Sequence, residues 1–205
     1  MHQPGWRRGE GRAGAASRAV NLGELLAWVA RTLDDLEIPY MVVGSLASTY
    51  HGEPRTTQDI DVVIDPTARQ VDQLLAEFDP ALFYVGDAVH ALARRDMFNV
   101  IDTSSGWKID FVIRKDRAFS GVELNRRRPA EILGVGLWIA TAEDTVLAKL
   151  EWAVSGHSER QLADVATVLA VSGEHLDWDH LWRWAEALGV DEHLRRLLEE
   201  GVDGR

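Results

Sequence analysis

Two aspartates, Asp59 and Asp61, lie two residues apart in an otherwise apolar segment of the chain. The aliphatic residues around them predict a β-strand over 59–64, and residues two apart in a strand point to the same face of the sheet. Neighbouring carboxylates repel each other, which is costly unless a cation neutralises them. Because Mg²⁺ prefers hard oxygen ligands, the pair predicts a magnesium site. The alternative, a surface strand with two solvated aspartates, fits the aliphatic composition poorly.

A third carboxylate would complete a site for two metal ions, and Asp110 and Asp102 compete for this role. Both lie in predicted strands, 97–103 and 107–113, which a turn at 104–106 joins into a hairpin. Asp110 is the better candidate because its strand is more apolar, so that a lone charge there is harder to explain. In such centres the ions lie about 3.5–4 Å apart and stabilise both oxygens of an in-line displacement.

The dipeptide Gly44-Ser45 lies between a predicted strand over 40–43 and a predicted helix that starts near Leu46. Glycine lets a phosphate approach the backbone, and the N-terminus of a helix favours an anion. The Ser45 hydroxyl can donate a hydrogen bond to the same phosphate. A purely structural junction explains the dipeptide as well, since Gly-Ser is common between a strand and a helix. The acids that follow give the phosphate-binding interpretation its weight.

Three more charged residues, Lys149, Arg160 and Asp164, fall in two predicted helices near the C-terminus. A cation near a triphosphate would offset its negative charge. Ordinary surface charges are an equally good interpretation, with Lys149 paired to Asp144 or Glu151. The residue types alone do not decide between these alternatives.

The elements that must position these residues follow from periodicity and from turn residues. Further helices are predicted over 21–37, 68–78 and 87–94, a second hairpin over 130–133 and 137–141, and four helices over 142–154, 159–171, 178–188 and 191–200. This order predicts an α/β (α+β) fold with a mixed sheet. We divide the chain into a disordered tail (1–18), a core (19–141) and a C-terminal helical module (142–205).

Composition restricts the setting in which the protein works. The 205 residues include no cysteine, which excludes disulfides and thiolate metal sites and is compatible with a reducing compartment. No apolar run approaches the roughly 20 residues of a membrane span, and the first residues lack the apolar region of a secretory signal. A cytoplasmic protein that does not enter the membrane is therefore expected.

The charge is unevenly distributed along the chain. The net charge is −11, which argues against indiscriminate binding of nucleic acid. Residues 94–128 nevertheless carry nine Lys and Arg against five Asp and Glu, and they include Arg126-Arg127-Arg128. This segment predicts either a surface for a polyanion such as RNA or simply a solvated basic surface.

Taken together, these motifs resemble the DNA polymerase β-like nucleotidyltransferase superfamily. The resemblance rests on Gly44-Ser45 after a strand, on the segment RTTQDID over 55–61, and on a later acid at Asp110. It is closest to the AbiEii-like nucleotidyltransferase toxins, which share a Thr-Ala-Glu-Asp helix that carries a lysine, here 141–149. A helix with an Arg-x-x-x-Asp pair, here Arg160 and Asp164, follows it.

The resemblance implies that the protein transfers a nucleoside monophosphate from a nucleoside triphosphate to an acceptor hydroxyl. Asp59, Asp61 and Asp110 would hold two Mg²⁺ ions, and Gly44 and Ser45 would bind the nucleotide phosphates. Lys149, Arg160 and Asp164 would complete the nucleotide site. A toxin-like enzyme that acts on tRNA or protein, with an antitoxin as partner, is the implied role.

Two alternatives stay open. The protein could use the fold to bind a nucleotide without turnover, as a regulatory or antitoxin protein, although three intact carboxylates favour an enzyme. It could also modify an antibiotic, which would require an acidic open pocket for a cationic drug; the basic middle of the chain argues against this.

Overall fold

A seven-stranded mixed sheet forms the centre of the computed structural model, which describes residues 21–156 and 158–203. The strands are β1 (Tyr40–Val42), β2 (Asp59–Ile64), β3 (Phe83–Val85), β4 (Met97–Asp102), β5 (Lys108–Ile113), β6 (Arg128–Ile132) and β7 (Val135–Ile139). The helices are α1 (Leu22–Asp35), α2 (Gly44–His51), α3 (Ala68–Ala76), α4 (Ala88–Arg94), α5 (Ala118–Arg126), α6 (Ala142–Gly156), α7 (Glu159–Ser172), α8 (Trp178–Leu188) and α9 (Asp191–Asp203). The tail predicted over 1–18 lies outside the described residues.

The strand order places β2 in the middle of the sheet. The order is β3-β4-β5-β2-β1-β7-β6, with β2 antiparallel to β1 and parallel to β5. In the parallel pair, Asp61 lies beside Asp110 and Asp59 lies beside Lys108. Because side chains alternate along a strand, these four residues share one face of the sheet.

The opposite face of the sheet is apolar and packs against α1, α3 and α4 to form the larger core. Its central contributions are the buried residues of β2 and β5: Ile60, Val62, Ile64, Ile109, Phe111 and Ile113. Helix α1 begins at a capping box, in which Asn21 accepts a hydrogen bond from the Glu24 amide and the Glu24 side chain accepts one from Asn21. The apolar face therefore fixes β2 and β5, and with them the direction of their polar side chains.

A second core lies among the helices α5 to α9. Its buried members include Phe119 of α5, Leu147 and Leu150 of α6, and Val165 and Val168 of α7. Both α6 and α7 also pack against α2, the helix that begins at Gly44. The helices after residue 141 are thus attached directly to the helix at which the sequence predicts phosphate binding.

The predicted mixed α/β fold is confirmed, and each predicted element is present with its ends shifted by three residues or fewer. A three-residue 3₁₀ helix, Gly173–His175, was missed, as were one strand, β3, and one α-helix, α5. Neither β3 nor α5 has a strong local signal, because β3 has only three residues and the N-cap position of α5, Arg117, makes no side-chain cap hydrogen bond. None of the helices in the described parts of the chain is long and apolar enough to cross a membrane.

Several arginines of the basic segment are engaged in ion pairs within the protein. Arg117 forms two bonds of 2.6 Å to Glu151, and Arg114 pairs with Asp65 at 2.8 Å. Arg126 lies 3.3 Å from a Glu143 oxygen and 3.4 Å from Asp144, whose side chain is fully buried. Much of the positive charge therefore stabilises the fold, and the expected polyanion surface has less free charge than residue counting indicated.

Reversing the charge of Arg126 should destabilise the protein, whereas the same change at the exposed Arg128 should not. In R126E the new carboxylate faces Glu143 and the buried Asp144, so we expect the free energy of unfolding to fall by about 3 kcal/mol. R128E should change it by less than about 0.5 kcal/mol. Urea unfolding of both variants measures the difference; equal effects would show that the Arg126 ion pairs contribute nothing specific.

Candidate active site

The turn between β1 and α2 brings the backbone of Gly44 against the side chain of Asp61. Gly44 has φ +62°, in the left-handed region that favours glycine. A Cβ at this position would overlap the Asp61 carboxylate and would lie 2.8 Å from Asp61 Cβ. Glycine is therefore required here both for the turn and for the close approach of the aspartate.

The Asp61 carboxylate lies against the N-terminus of α2, close to the backbone of Gly44 and near the Ser45 backbone N–H. Burial and the nearby charge of Asp110 raise the pKa of Asp61, and the Ser45 N–H partly opposes this. The helix N-terminus thus already stabilises a negative group in the free protein. This is the position at which the sequence predicts phosphate binding.

Asp110 is the most deeply buried acid of the site, with a side chain only 7% exposed. Its Oδ2 lies 2.7 Å from Lys108 Nζ, whereas its Oδ1 is buried and has no hydrogen-bond partner among the described residues. Asp59 differs, because its side chain is 48% exposed and lies 3.7 Å from the same Lys108 Nζ. The structure therefore brings Asp61 and Asp110 together on neighbouring strands and leaves Asp59 at the more open end.

Asp102, the competitor for the third acid, has a local structural role. It is buried at the end of β4, and its carboxylate accepts hydrogen bonds from Ser104 and Ser105 in the turn that leads to β5. These bonds hold the pKa of Asp102 below its usual value despite burial, which acts in the other direction. Of the two candidates, Asp110 is the one that lies beside Asp61.

A second group of charged residues lies beside Ser45. Arg55 donates to Ser45 Oγ and, from Nη2, to Asp164 Oδ2 at 2.9 Å, and its Nε lies 2.9 Å from Asp164 Oδ1 in the same ion pair. Lys149 Nζ lies 2.6 Å from Asp164 Oδ2 and donates to Gln161 at 2.9 Å. Burial alone would raise the pKa of Asp164, but the bonds from Lys149 and Arg55 outweigh it and lower that pKa. Two cations are thereby fixed at the N-terminus of α2.

The structure separates the residues predicted for the nucleotide site. Lys149 and Asp164 belong to the group beside Ser45, and neither of the partners considered for Lys149, Asp144 and Glu151, is its ion-pair partner. Arg160 is exposed on α7 and forms no ion pair or hydrogen bond with a described residue. Arg55, rather than Arg160, is the arginine that lies beside Ser45. The feature of the sequence that could have indicated Arg55 is its position in the segment RTTQDID.

An open cleft of about 450 Å³ runs from Gly44 and Asp61 across Asp110 to α5 and α6. Glu123 of α5 lines it and is 7% exposed, and burial together with the charge of Asp144 raises the pKa of Glu123 to about 8. Trp152 lies at the cleft with 57% of its surface exposed. Sequence reasoning missed Glu123, because its helix α5 was not predicted.

The acids fit a divalent metal ion in part. The adjacent carboxylates of Asp61 and Asp110, with the unpartnered Asp110 Oδ1, provide hard oxygen ligands of the kind that Mg²⁺ prefers. Within 21–156 and 158–203, however, no group of three or more histidine, aspartate or glutamate side chains is already arranged to hold a metal. Asp59, the third predicted ligand, lies near Lys108 instead.

Gly44→Ala should destabilise the protein more than Gly106→Ala. Both glycines have positive φ, +62° and +76°, so each alanine bears the same backbone cost of about 1–2 kcal/mol. A Cβ at Gly106 meets no atom within 4 Å, whereas at Gly44 it overlaps Asp61. We expect a further loss of at least about 1 kcal/mol for G44A in urea unfolding. Equal losses would mean that Asp61 moves aside freely.

Glu123→Gln should stabilise the protein at alkaline pH and have little effect in acid. Because the pKa of Glu123 is raised from 4.5 to about 8 in the folded protein, its cost to stability appears as the pH rises through this range. We expect E123Q to exceed the wild type by on the order of 3 kcal/mol above pH 8 and by almost nothing near pH 4.5. Urea unfolding at pH 4.5, 6.5 and 8.5 measures the difference. The exposed Glu186→Gln is the control, and a pH-independent gain for E123Q would contradict the assignment.

Comparison with known proteins supports the fold. No protein-family model and no curated protein matches the sequence. An antigenic nucleotidyltransferase-like protein from Paracoccidioides brasiliensis is similar in structure, with a TM-score of 0.52 and 16% identity over 85% of this chain and 90% of that one. The lincosamide antibiotic adenylyltransferase LnuA, bound to lincomycin, has a TM-score of 0.52 and 12% identity over 75% of this chain and 99% of its own.

A third structure, ANT(2")-Ia in complex with adenylyl-2"-tobramycin, gives a TM-score of 0.53 and 13% identity, covering 80% of this chain and 94% of that one. Identities this low establish a shared fold and nothing finer. The closer resemblance to AbiEii-like toxins therefore stays a prediction, while the expectation of the broader fold is confirmed: the chain has the fold of the nucleotidyltransferases.

Proposed function

We propose that the protein transfers a nucleoside monophosphate from a nucleoside triphosphate to an acceptor hydroxyl, with the help of divalent metal ions. The observation that carries this proposal is the position of Asp61 beside Asp110, next to the N-terminus of α2. Two adjacent like charges, one of them buried and the other partly buried, are costly for the free protein. A site that binds a metal ion together with a triphosphate explains why the cost is accepted.

The triphosphate would lie at the N-terminus of α2. Backbone N–H groups at the start of a helix attract phosphate oxygens, and Gly44 lets them approach closely. The Ser45 hydroxyl, Arg55 and Lys149 lie at the same point, and Asp164 holds both cations in place. In this role Asp164 is a positioning residue, because it acts through Arg55 and Lys149.

In the reaction the acceptor oxygen forms a bond to the α-phosphorus, and the bond from that phosphorus to the bridging oxygen of pyrophosphate breaks. Asp61 and Asp110, with Asp59, would hold the metal, which supplies charge stabilisation for the attacking and leaving oxygens. Asp110, on the buried side of the site, would also help to accept the proton of the acceptor hydroxyl. Pyrophosphate leaves along the N-terminus of α2, where Arg55 and Lys149 offset its charge.

The acceptor is a finer proposal. A tRNA or protein acceptor, a toxin-like role and an antitoxin partner rest on the resemblance of the sequence motifs. The hypothesis that a polyanion binds to the basic segment is weaker than the sequence suggested, because Arg114, Arg117 and Arg126 form ion pairs within the protein. LnuA and ANT(2")-Ia act on antibiotics, so a small hydroxyl-bearing acceptor belongs in the same test.

Asp61→Asn and Asp110→Asn should each reduce nucleotidyl transfer by at least about 100-fold, a loss typical when a preorganised charged group is removed. D61N removes one of two adjacent like charges, so its metal-free melting temperature should hold or rise, whereas D110N also loses the ion pair with Lys108 and should melt no higher than the wild type. The measurement is transfer of label from each of the four α-labelled triphosphates to total RNA, to lysate protein or to small hydroxyl compounds.

Asp72→Asn, which changes an exposed acid on α3, is the matched control and should retain full activity. Transfer by D61N and D110N at the level of D72N would overturn the assignment of these two acids to the active site. Nucleotide binding without transfer to any of the acceptors by the wild type would favour the regulatory alternative. The destination of the label in the wild type identifies the acceptor class.

A further inference from the structure

Lys108 lies among the carboxylates of the candidate site, and the register of the sheet fixes its position. It is the partner of Asp59 in the parallel pair of β2 and β5, and it points to the same face as Asp110, two residues along β5. Its ammonium nitrogen is 2.7 Å from Asp110 Oδ2 and 3.7 Å from Asp59 Oδ1. The contact with Asp110 is thus a short ion pair.

In the described part of the chain, Asp110 has one carboxylate oxygen, Oδ1, that is free to bind a second cation. Its side chain is more than nine-tenths buried, and Oδ1 lacks a partner among the described residues. A buried carboxylate oxygen without a donor is costly, since it has lost its water and gained nothing in return. Lys108 therefore neutralises this acid only in part, and the neighbouring carboxylate of Asp61 leaves an excess of negative charge at the same point.

We propose that Lys108 is an internal counter-ion which competes with the metal for Asp59 and Asp110. This inference rests on the proposed function, because it assumes that these acids bind a divalent ion. In the free protein the ammonium group occupies the side of the cluster between Asp59 and Asp110. A metal that takes both Asp59 and Asp110 as ligands would have to enter the space between them that the ammonium group occupies, so the free energy of breaking the Lys108 contacts is subtracted from the free energy of metal binding.

The competition has a consequence for the order of binding. A free metal ion must displace Lys108 without compensation, whereas a metal that arrives with a triphosphate brings negative charge with which the released ammonium group can pair. Lys108 thereby weakens binding of the metal alone relative to binding of the metal with nucleotide. When no substrate is present, Lys108 neutralises part of the negative charge of the three acids.

Lys108→Met tests the proposal, because it retains the apolar stem of the side chain and removes the charge. Mn²⁺ without nucleotide is the probe, and the fall of the free-ion signal in electron paramagnetic resonance measures its binding. We expect K108M to bind Mn²⁺ at least about tenfold more tightly than the wild type. Lys115→Met removes the same charge from an exposed residue of the same cleft that has no carboxylate partner among the described residues, so it should change the affinity less than about twofold.

A second measurement uses thermal unfolding instead of the free-ion signal. Without metal, K108M should melt at a lower temperature than the wild type, because Asp110 loses its counter-ion, and saturating Mn²⁺ should raise its melting temperature more than that of the wild type. Lys108→Gln, which keeps a hydrogen-bond donor toward Asp110, replaces K108M if the latter does not fold.

The outcomes separate this inference from the function on which it rests. Equal Mn²⁺ affinity in the wild type and in K108M, or weaker binding by K108M, would overturn the role of Lys108 while leaving the metal site intact. Absence of Mn²⁺ binding in the wild type, K108M and K108Q alike would overturn both this inference and the proposed metal dependence. A tenfold gain in K108M that K115M lacks supports the internal counter-ion.

Discussion

The site depends on the parallel register of β2 and β5. This pairing places Asp61 beside Asp110 and Asp59 beside Lys108, so three negative charges and one positive charge share a small area of the sheet. The register is fixed from the other face, where the aliphatic residues of both strands are fully buried. A shift by one residue would move these apolar side chains out of the core and the acids into it. Hydrophobic packing thus maintains an arrangement of charges that is unfavourable by itself.

Two groups, the Lys108 ammonium and the N-terminus of α2, reduce the repulsion between these carboxylates. Lys108 contacts Asp110 and Asp59 from within the sheet, while the Ser45 N–H stabilises Asp61 from the start of α2. The burial of Asp61 and the charge of Asp110 still raise the pKa of Asp61, so these contacts offset the cost only in part. A divalent cation binds most strongly where such negative charge is left over. The incomplete neutralisation is what would favour the proposed metal ion at this cluster.

Local patterns in the sequence were sufficient to predict β2, β5 and the turn at Gly44. In both strands aspartates interrupt an apolar segment, and Gly44 follows directly after the apolar run 40–43. Such patterns were insufficient for α5, which has a glycine in its middle, Gly121, and lacks a side-chain cap. Glu123 was missed together with its helix. Local patterns also could not predict the partner of Lys149, because Lys149 lies on α6 and Asp164 lies on the next helix, α7. Ion pairs of this kind depend on how helices pack, which charge counting does not record.

The position of Asp164 also bears on the helices after residue 141. Asp164 on α7 and Lys149 on α6 join Arg55, which precedes β2, in a single ion-paired group at the start of α2. Phe119 of α5 packs in the same core as α6 and α7, so that core includes a helix from the sheet-containing part of the chain. The C-terminal helices therefore contribute charged groups to the cleft and hold α2 in place. The proposed phosphate site at the N-terminus of α2 would therefore draw its residues from both sides of residue 141, with Ser45 and Arg55 before it and Lys149 and Asp164 after it.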